Sequence, residues 1–250
     1  MQTYQPETVS QEKFLTALSA SLHQMAQPMS TIQASLELAL LSPTTATEYK
    51  EIAENILGQL KSAVESMQFA GRLARYQQPA TDVREVLLSV VLDEVISSLQ
   101  RTFDSSQLQL LFFRSEQEHT ISISPARLRQ MLFYVLQAVQ GCSRPGDLAK
   151  IEIQQPANRL VLRIKHSPGS SGVSCPRSAT DDSAERALAL ADAIVTSARG
   201  EFNVSTSPLL IVADFPVNNG IGASATKKNT ASEFSGSPLA VGAVRLFKMS

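Results

Sequence analysis

The sequence predicts an α+β protein: a helical hairpin that pairs with a second copy into a dimeric four-helix bundle, followed by an α/β sandwich. Three observations predict it. Apolar residues fall at Leu15, Leu18, Leu22, Met25, Met29, Ile32, Leu36 and Ala39, in alternating steps of three and four, the seam of a helical bundle. A second run, Tyr49, Ile52, Ile56, Leu60, Ala63, Met67, Ala70 and Leu73, keeps nearly the same spacing. Beyond Pro79 the long periodic pattern gives way to short alternating segments of strand and helix length.

The first helix is expected from about Ser10 or Gln11 to Leu41, after a short lead at residues 1–10. Ser42-Pro43-Thr44-Thr45 supplies the break and a new N-cap, and the second helix ends before Gln77-Gln78-Pro79. Two helices of this length cannot bury a two-sided core alone, so the apolar stripes predict a homodimer. Met25, Met29 and Met67, with Leu36 and Ile56, are read as core. Pro28 stands inside the first helix, where it removes a backbone hydrogen bond and is expected to kink it.

The hairpin occupies residues 11–78 and the second domain residues 82–217. Its expected elements are a strand near Val86 to Leu88, a helix from about Val90 to Phe103, and strands at Leu108 to Phe113 and Thr120 to Ile123. A helix runs from Pro125 to about Gly141, with proline in the first turn where its missing N–H does no harm. Lys150 to Gln154 and Arg159 to Lys165 form a hairpin, followed by a Ser-, Gly- and Pro-rich loop over His166 to Ser183. A helix from Ala184 to Ala198 stops at Gly200, and strands at Glu201 to Thr206 and Leu209 to Pro216 close the domain. That order implies an antiparallel or mixed sheet with helices on one face. Residues 218–250 read as a flexible tail whose last piece, from Pro238, is apolar enough to dock.

Composition narrows the class. An apolar fraction of 43 %, a charged fraction of 18 % and a net charge of -1 over 250 residues are ordinary for a globular protein and give no pull toward nucleic acid or anionic membrane. No run of about 18 apolar residues exists and the N-terminus has no signal-peptide pattern, so no membrane span and a cytoplasmic location are expected. Only about ten residues precede the first helix, so no sensory domain is expected ahead of it. Cys142 and Cys175 lack metal-ligand spacing and read as reduced thiols. His119 and His166 fall in or beside expected loops and read as surface residues; Lys227 and Lys228 read as solvated.

His23 is different. It sits one position past the seam residue Leu22, about 100° round the helix, and so points away from the core centre. Neutral imidazole near its unperturbed pKa of about 6.5 is a good nucleophile. Gln27, four residues on, shares its helical face.

The stretch from Phe14 to Ile32, centred on Leu22-His23-Gln24-Met25-Ala26-Gln27-Pro28-Met29, resembles the phosphoacceptor box of bacterial sensor histidine kinases. In that box an apolar residue, His, an acid, a few variable positions, Pro and a second apolar residue recur. The resemblance covers roughly residues 11 to 217. It implies that His23 is the phosphorylated residue and that the second domain is a histidine-kinase-type ATPase sandwich. Gln24 stands where the family has its acid, and an amide holds a hydrogen bond but takes no proton. Gln27 is placed to orient a water or a phosphoryl group.

The second domain resembles the ATP-binding half in element order and in the helix from Pro125 to Val139, but its boxes are degenerate. The family's asparagine helix, which holds Mg²⁺ and phosphates, offers Tyr134, Gln137 and Ala138. The box that presents an aspartate to adenine reads Lys165-His166-Ser167-Pro168-Gly169-Ser170-Ser171-Gly172. The glycine-rich turn whose helix N-terminus receives phosphate reads Arg186-Ala187-Leu188-Ala189-Leu190-Ala191-Asp192-Ala193-Ile194-Val195. No ATP and no metal bound by this chain are therefore expected.

The expected function is a dimeric histidine phosphotransfer protein of a phosphorelay, in which His23 takes a phosphoryl group from one receiver aspartate and passes it to another. Mg²⁺ is supplied by the response-regulator receiver. Two alternatives stand beside it: a non-catalytic adaptor that regulates a receiver or kinase, and a divergent active kinase that uses Gln137.

Overall fold

The computed structural model describes residues 6–41, 45–113, 118–156, 158–169, 182–206, 208–217 and 244–246. The chain divides after Pro79 into two compact units.

The first unit is a hairpin of α1 (Pro6–Leu41) and α2 (Ala46–Gln77). α1 begins four residues before the expected Ser10, so part of the expected lead is helical. The helix carries Pro28 inside it without interruption, and that proline is buried. Thr45 caps α2 as the break predicted. Its hydroxyl accepts from the Glu48 N–H, and the Glu48 carboxylate accepts from the Thr45 N–H at 2.7 Å. The Thr45 N–H and then its hydroxyl, both donating to the Glu48 carboxylate, hold that carboxyl below the ordinary carboxylate value.

The second unit contains β1 (Arg84–Leu87), α3 (Leu88–Ser106), β2 (Gln109–Phe113), β3 (Thr120–Ile123), α4 (Pro125–Gly141), β4 (Leu148–Gln154), β5 (Arg159–Ser167), α5 (Asp182–Ser197), β6 (Glu201–Thr206), β7 (Leu209–Pro216) and β8 (Val244–Leu246). β1 and β3 pair antiparallel in a small sheet, Arg84 opposite Ile123. The main sheet runs β6-β7-β5-β4-β2-β8. It is mixed, because β2 and β4 are parallel while the remaining pairs are antiparallel.

Alternation sorts the two faces of this sheet. Ala149, Ile151, Leu160, Leu162, Ile164, Ile211, Ala213 and Phe215 are buried, whereas Arg163 and Lys165 are exposed. α4 packs against both α3 and α5, and α5 reaches β6 and β7. The fully buried Leu92, Ile96, Phe103, Met131, Leu132, Leu136 and Phe112 form the core. Ser124 caps α4, ahead of Pro125 at the first helical position. At the α5–β6 turn Gly200 leaves no room for a side chain, since a Cβ there would lie 2.5 Å from the Asp214 carbonyl.

Three expectations change. β5 runs on through His166 to Ser167, so the loop does not begin at His166. His119 and His166 are buried, each 6 % exposed, and not surface residues. The β5 register turns His166 to the buried face of the sheet, while His119, just ahead of β3, is held by its side chain, Nδ1 donating to Gln155 Oε1 at 2.7 Å. Within the region read as a tail, Val244–Leu246 forms an edge strand on β2, Arg245 opposite Phe112. The rest of the tail, Cys175 and most of the loop before α5 lie outside the described residues.

Candidate functional site

α1 presents three lanes. The first faces α2 and holds Phe14, Leu18, Ser21, Met25, Pro28, Ile32, Ser35 and Ala39, all buried or half-buried. The second holds Leu15, Leu22, Met29 and Leu36, at intervals of seven, and these are 47–55 % exposed in the single chain. α2 has its own exposed run in Leu57, Leu60, Val64 and Met67. The seam read from the sequence is therefore two seams. Its alternate members close the hairpin, and the others, Met29, Leu36 and Met67 among them, stay open.

His23 stands on the third lane, with Gln27, Ser30, Ala34, Leu38 and Leu41 following at steps of four, three, four, four and three, all exposed. The Gln27 amide lies 3.3 Å from His23, Nε2 to Nε2. In that arrangement the amide N–H donates to the ring nitrogen, which leaves the ring proton on Nδ1. From Phe14 to Leu36 the helix carries no Asp, Glu, Lys or Arg, and His23 is its one titratable side chain. Leu38 and Leu41 end the lane 66 % and 83 % exposed. Gln24 is half-buried, one helical step round from His23. Gln27 is thus brought to the histidine by the helical turn, while Gln24 is rotated away from it.

In the second unit, Gln137 is exposed on α4 and lines a cavity of about 180 Å³ with Ala138, Gln140, Gly141, Ser183 and Ala184. Small-molecule pockets usually begin at about 300 Å³. Ala138 is buried and Ala189 is half-buried within α5. Asp182 and Glu185 occupy the first turn of α5. They place negative charge at the helix end that would otherwise attract an anion. Among the described residues no group of three or more His, Cys, Asp or Glu side chains is arranged to hold a metal ion.

His166 is turned into the core and committed to Asp147. Its Nε2–H donates to Asp147 Oδ2 at 2.9 Å, and both residues are more than nine-tenths buried. The same carboxylate accepts from the Arg144 N–H and the Gly169 N–H, each at 2.8 Å. Burial pushes the Asp147 carboxyl up, yet these backbone bonds and the adjacent imidazole together hold it below its ordinary value. The chain after β5 is thereby fastened to the α4–β4 turn. Gly169 packs so closely there that a Cβ would meet the Gly146 carbonyl at 2.5 Å.

No protein-family model and no curated protein sequence matches the chain. Among solved structures, the histidine kinase AdeS of Acinetobacter baumannii matches with a TM-score of 0.53 at 17 % identity, over 79 % of this chain and 98 % of that one. The chain has the fold of a bacterial histidine kinase. A histidine kinase from Burkholderia phymatum matches over 79 % of this chain and 97 % of its own, with a TM-score of 0.44 and 14 % identity. On this histidine-kinase fold, α4, the end of β5 and α5 are the segments whose sequences resemble the nucleotide boxes. They carry Gln137, a buried His166 and an acidic first turn.

The sequence reading missed Asp147, Asp182 and Glu185. Asp181-Asp182-Ser183-Ala184-Glu185 at a helix start is a visible acidic N-terminal pattern. Beyond its turn bond to Arg144, Asp147 meets partners 19 and 22 residues away, which no local pattern announces. No helix among the described residues is long and apolar enough to cross a membrane.

Proposed function

We propose that this chain is a dimeric histidine phosphotransfer protein of a two-component phosphorelay, moving phosphoryl groups between receiver aspartates through His23 without using ATP. The observation that carries the reading is the exposure of His23 on an uncharged lane of α1, its Nε2 met by Gln27. The open lane of Leu15, Leu22, Met29 and Leu36 supplies the surface for a second copy, completing a four-helix bundle.

The chemistry is a reversible in-line transfer. A receiver's phospho-aspartate docks along the third lane, and a ring nitrogen of His23 attacks phosphorus. The new N–P bond forms as the acyl O–P bond breaks, and the carboxylate leaves. Reversal onto a second receiver restores the free imidazole. Mg²⁺ bound by the receiver neutralises the phosphoryl oxygens in this step. Gln27 orients the imidazole before transfer, and its N–H can turn to a phosphoryl oxygen afterwards.

The second unit is a scaffold that does not fit nucleotide. The acids at the α5 terminus oppose phosphate, the alanines within α5 add side chains where the kinase pattern has glycines, and His166 is spent on Asp147. A localisation in the cytoplasm, beside the receivers, goes with this reading. Incubation with γ-labelled ATP and Mg²⁺, beside incubation with a phosphorylated receiver, tests it. Label on His23 from the receiver and none from ATP is expected; label from ATP alone marks a divergent kinase.

A further inference from the structure

We propose that the Ser21–Ser66 contact is a rotational lock that holds His23 outward, which makes Ser21 a positioning residue for phosphoryl acceptance; this rests on the reading of His23 given above. Ser21 and Ser66 are both fully buried between α1 and α2. The Ser21 hydroxyl donates to the Ser66 carbonyl oxygen at 3.0 Å, across 45 residues of sequence. Hydroxyls elsewhere on α1 bond one turn back along their own helix, Ser30 to the Ala26 carbonyl and Thr31 to the Gln27 carbonyl. Ser21 instead reaches the neighbouring helix.

The direction of that bond gives it its function. Phe14, Leu18, Met25, Pro28, Ile32 and Ala39, which share the lane, are apolar; their burial selects the face that α1 turns to α2, and the Ser21 bond adds a directional contact within that face. Ser21 and His23 are two residues apart, about 200° round the helix. A hydroxyl fixed into the hairpin therefore fixes the imidazole nearly opposite. A turn of α1 by one residue step, about 100°, breaks the bond and carries His23 toward one of the other two lanes.

The layer contains its own control. Ser66 Oγ is buried and has no hydrogen-bond partner, and Ser21 uses only the main-chain carbonyl of Ser66. Ser21→Ala removes the lock, whereas Ser66→Ala removes an equal-sized hydroxyl from the same layer and leaves the lock in place.

Diethylpyrocarbonate modification, read by mass spectrometry on the full chain, reports the outward population of His23. The burial of His119 and His166 keeps their signals separate. Ser21→Ala is expected to slow modification of His23 by about two- to fivefold, as loss of one hydrogen bond allows, while Ser66→Ala matches the wild type. Phosphorylation by phosphoramidate, in which His23 forms an N–P bond as the donor's P–N bond breaks and ammonia leaves, should follow the same order. Equal rates for Ser21→Ala and the wild type, or equal slowing by both variants, would overturn the lock. If Ser21→Ala slows modification but wild-type His23 takes no phosphoryl group from phosphoramidate, the lock stands and the phosphoacceptor reading falls.

Discussion

Asp147 Oδ2 and His166 Nε2 lie 2.9 Å apart at the junction between the α4–β4 turn and the end of β5. This contact ties a buried histidine at the end of one strand to a buried acid in the turn before another. Replacing Asp147 by alanine strands three donors, the His166 ring N–H and the Arg144 and Gly169 backbone N–H groups. The expected cost is about 3 kcal/mol, measured as a shift in the urea midpoint. A change under about 0.5 kcal/mol, the level of an ordinary surface substitution, would remove the pair from the list of stabilising contacts.

The same carboxylate sets an acid limit. Its folded pKa lies below the ordinary value of 3.8, so its contribution is fully present above that value. It is lost as pH falls through the lower, folded pKa. Urea titrations between neutral pH and about pH 2 should show a loss of stability below about pH 4 that Asp147→Asn largely abolishes. An unchanged acid limb in Asp147→Asn would assign the transition to other carboxyls.

The open apolar lane predicts self-association. Leu22 and Met29 are 54 % and 55 % exposed in the single chain, whereas Ile32 on the neighbouring lane is half-buried. Leu22→Glu should weaken the dimer by about tenfold or more, equivalent to about 1.4 kcal/mol, in sedimentation equilibrium. A dimer of wild-type affinity in Leu22→Glu would move the interface elsewhere.

Nucleotide should leave stability unchanged. A ligand present at its own dissociation constant stabilises by about 0.4 kcal/mol. With Mg²⁺-ATP at about 1 mM, the shift in thermal midpoint should therefore stay below that equivalent. A larger shift would show that the segments around Gln137 and Ala189 still accept the nucleotide.

Much of the fold was legible because local signals were strong. The Ser42-Pro43-Thr44-Thr45 break announced the start of α2, Pro125 in the first turn announced α4, and Thr120-Ile121-Ser122-Ile123 of β3 follows period-two alternation. What was not legible depended on distance in sequence. Heptad spacing alone could not separate the Leu15–Leu36 lane from the lane that meets α2, since both lie within one broad apolar sector. Buried Ser21 and Ser66 carry no hydrophobic signature, and His119 and His166, whose residue type favours no particular depth, are held inside by partners distant in sequence, Gln155 and Asp147. His23 itself was legible because exposure follows from its single step past Leu22.

The most direct measurement is transfer from pre-phosphorylated receivers to the full chain, comparing wild type with His23→Ala. His23 is exposed, so its removal should alter stability by less than about 0.5 kcal/mol. The account predicts acid-labile label on the wild type and none on His23→Ala. Absence of label from every receiver tried, or equal labelling of both proteins, would contradict it.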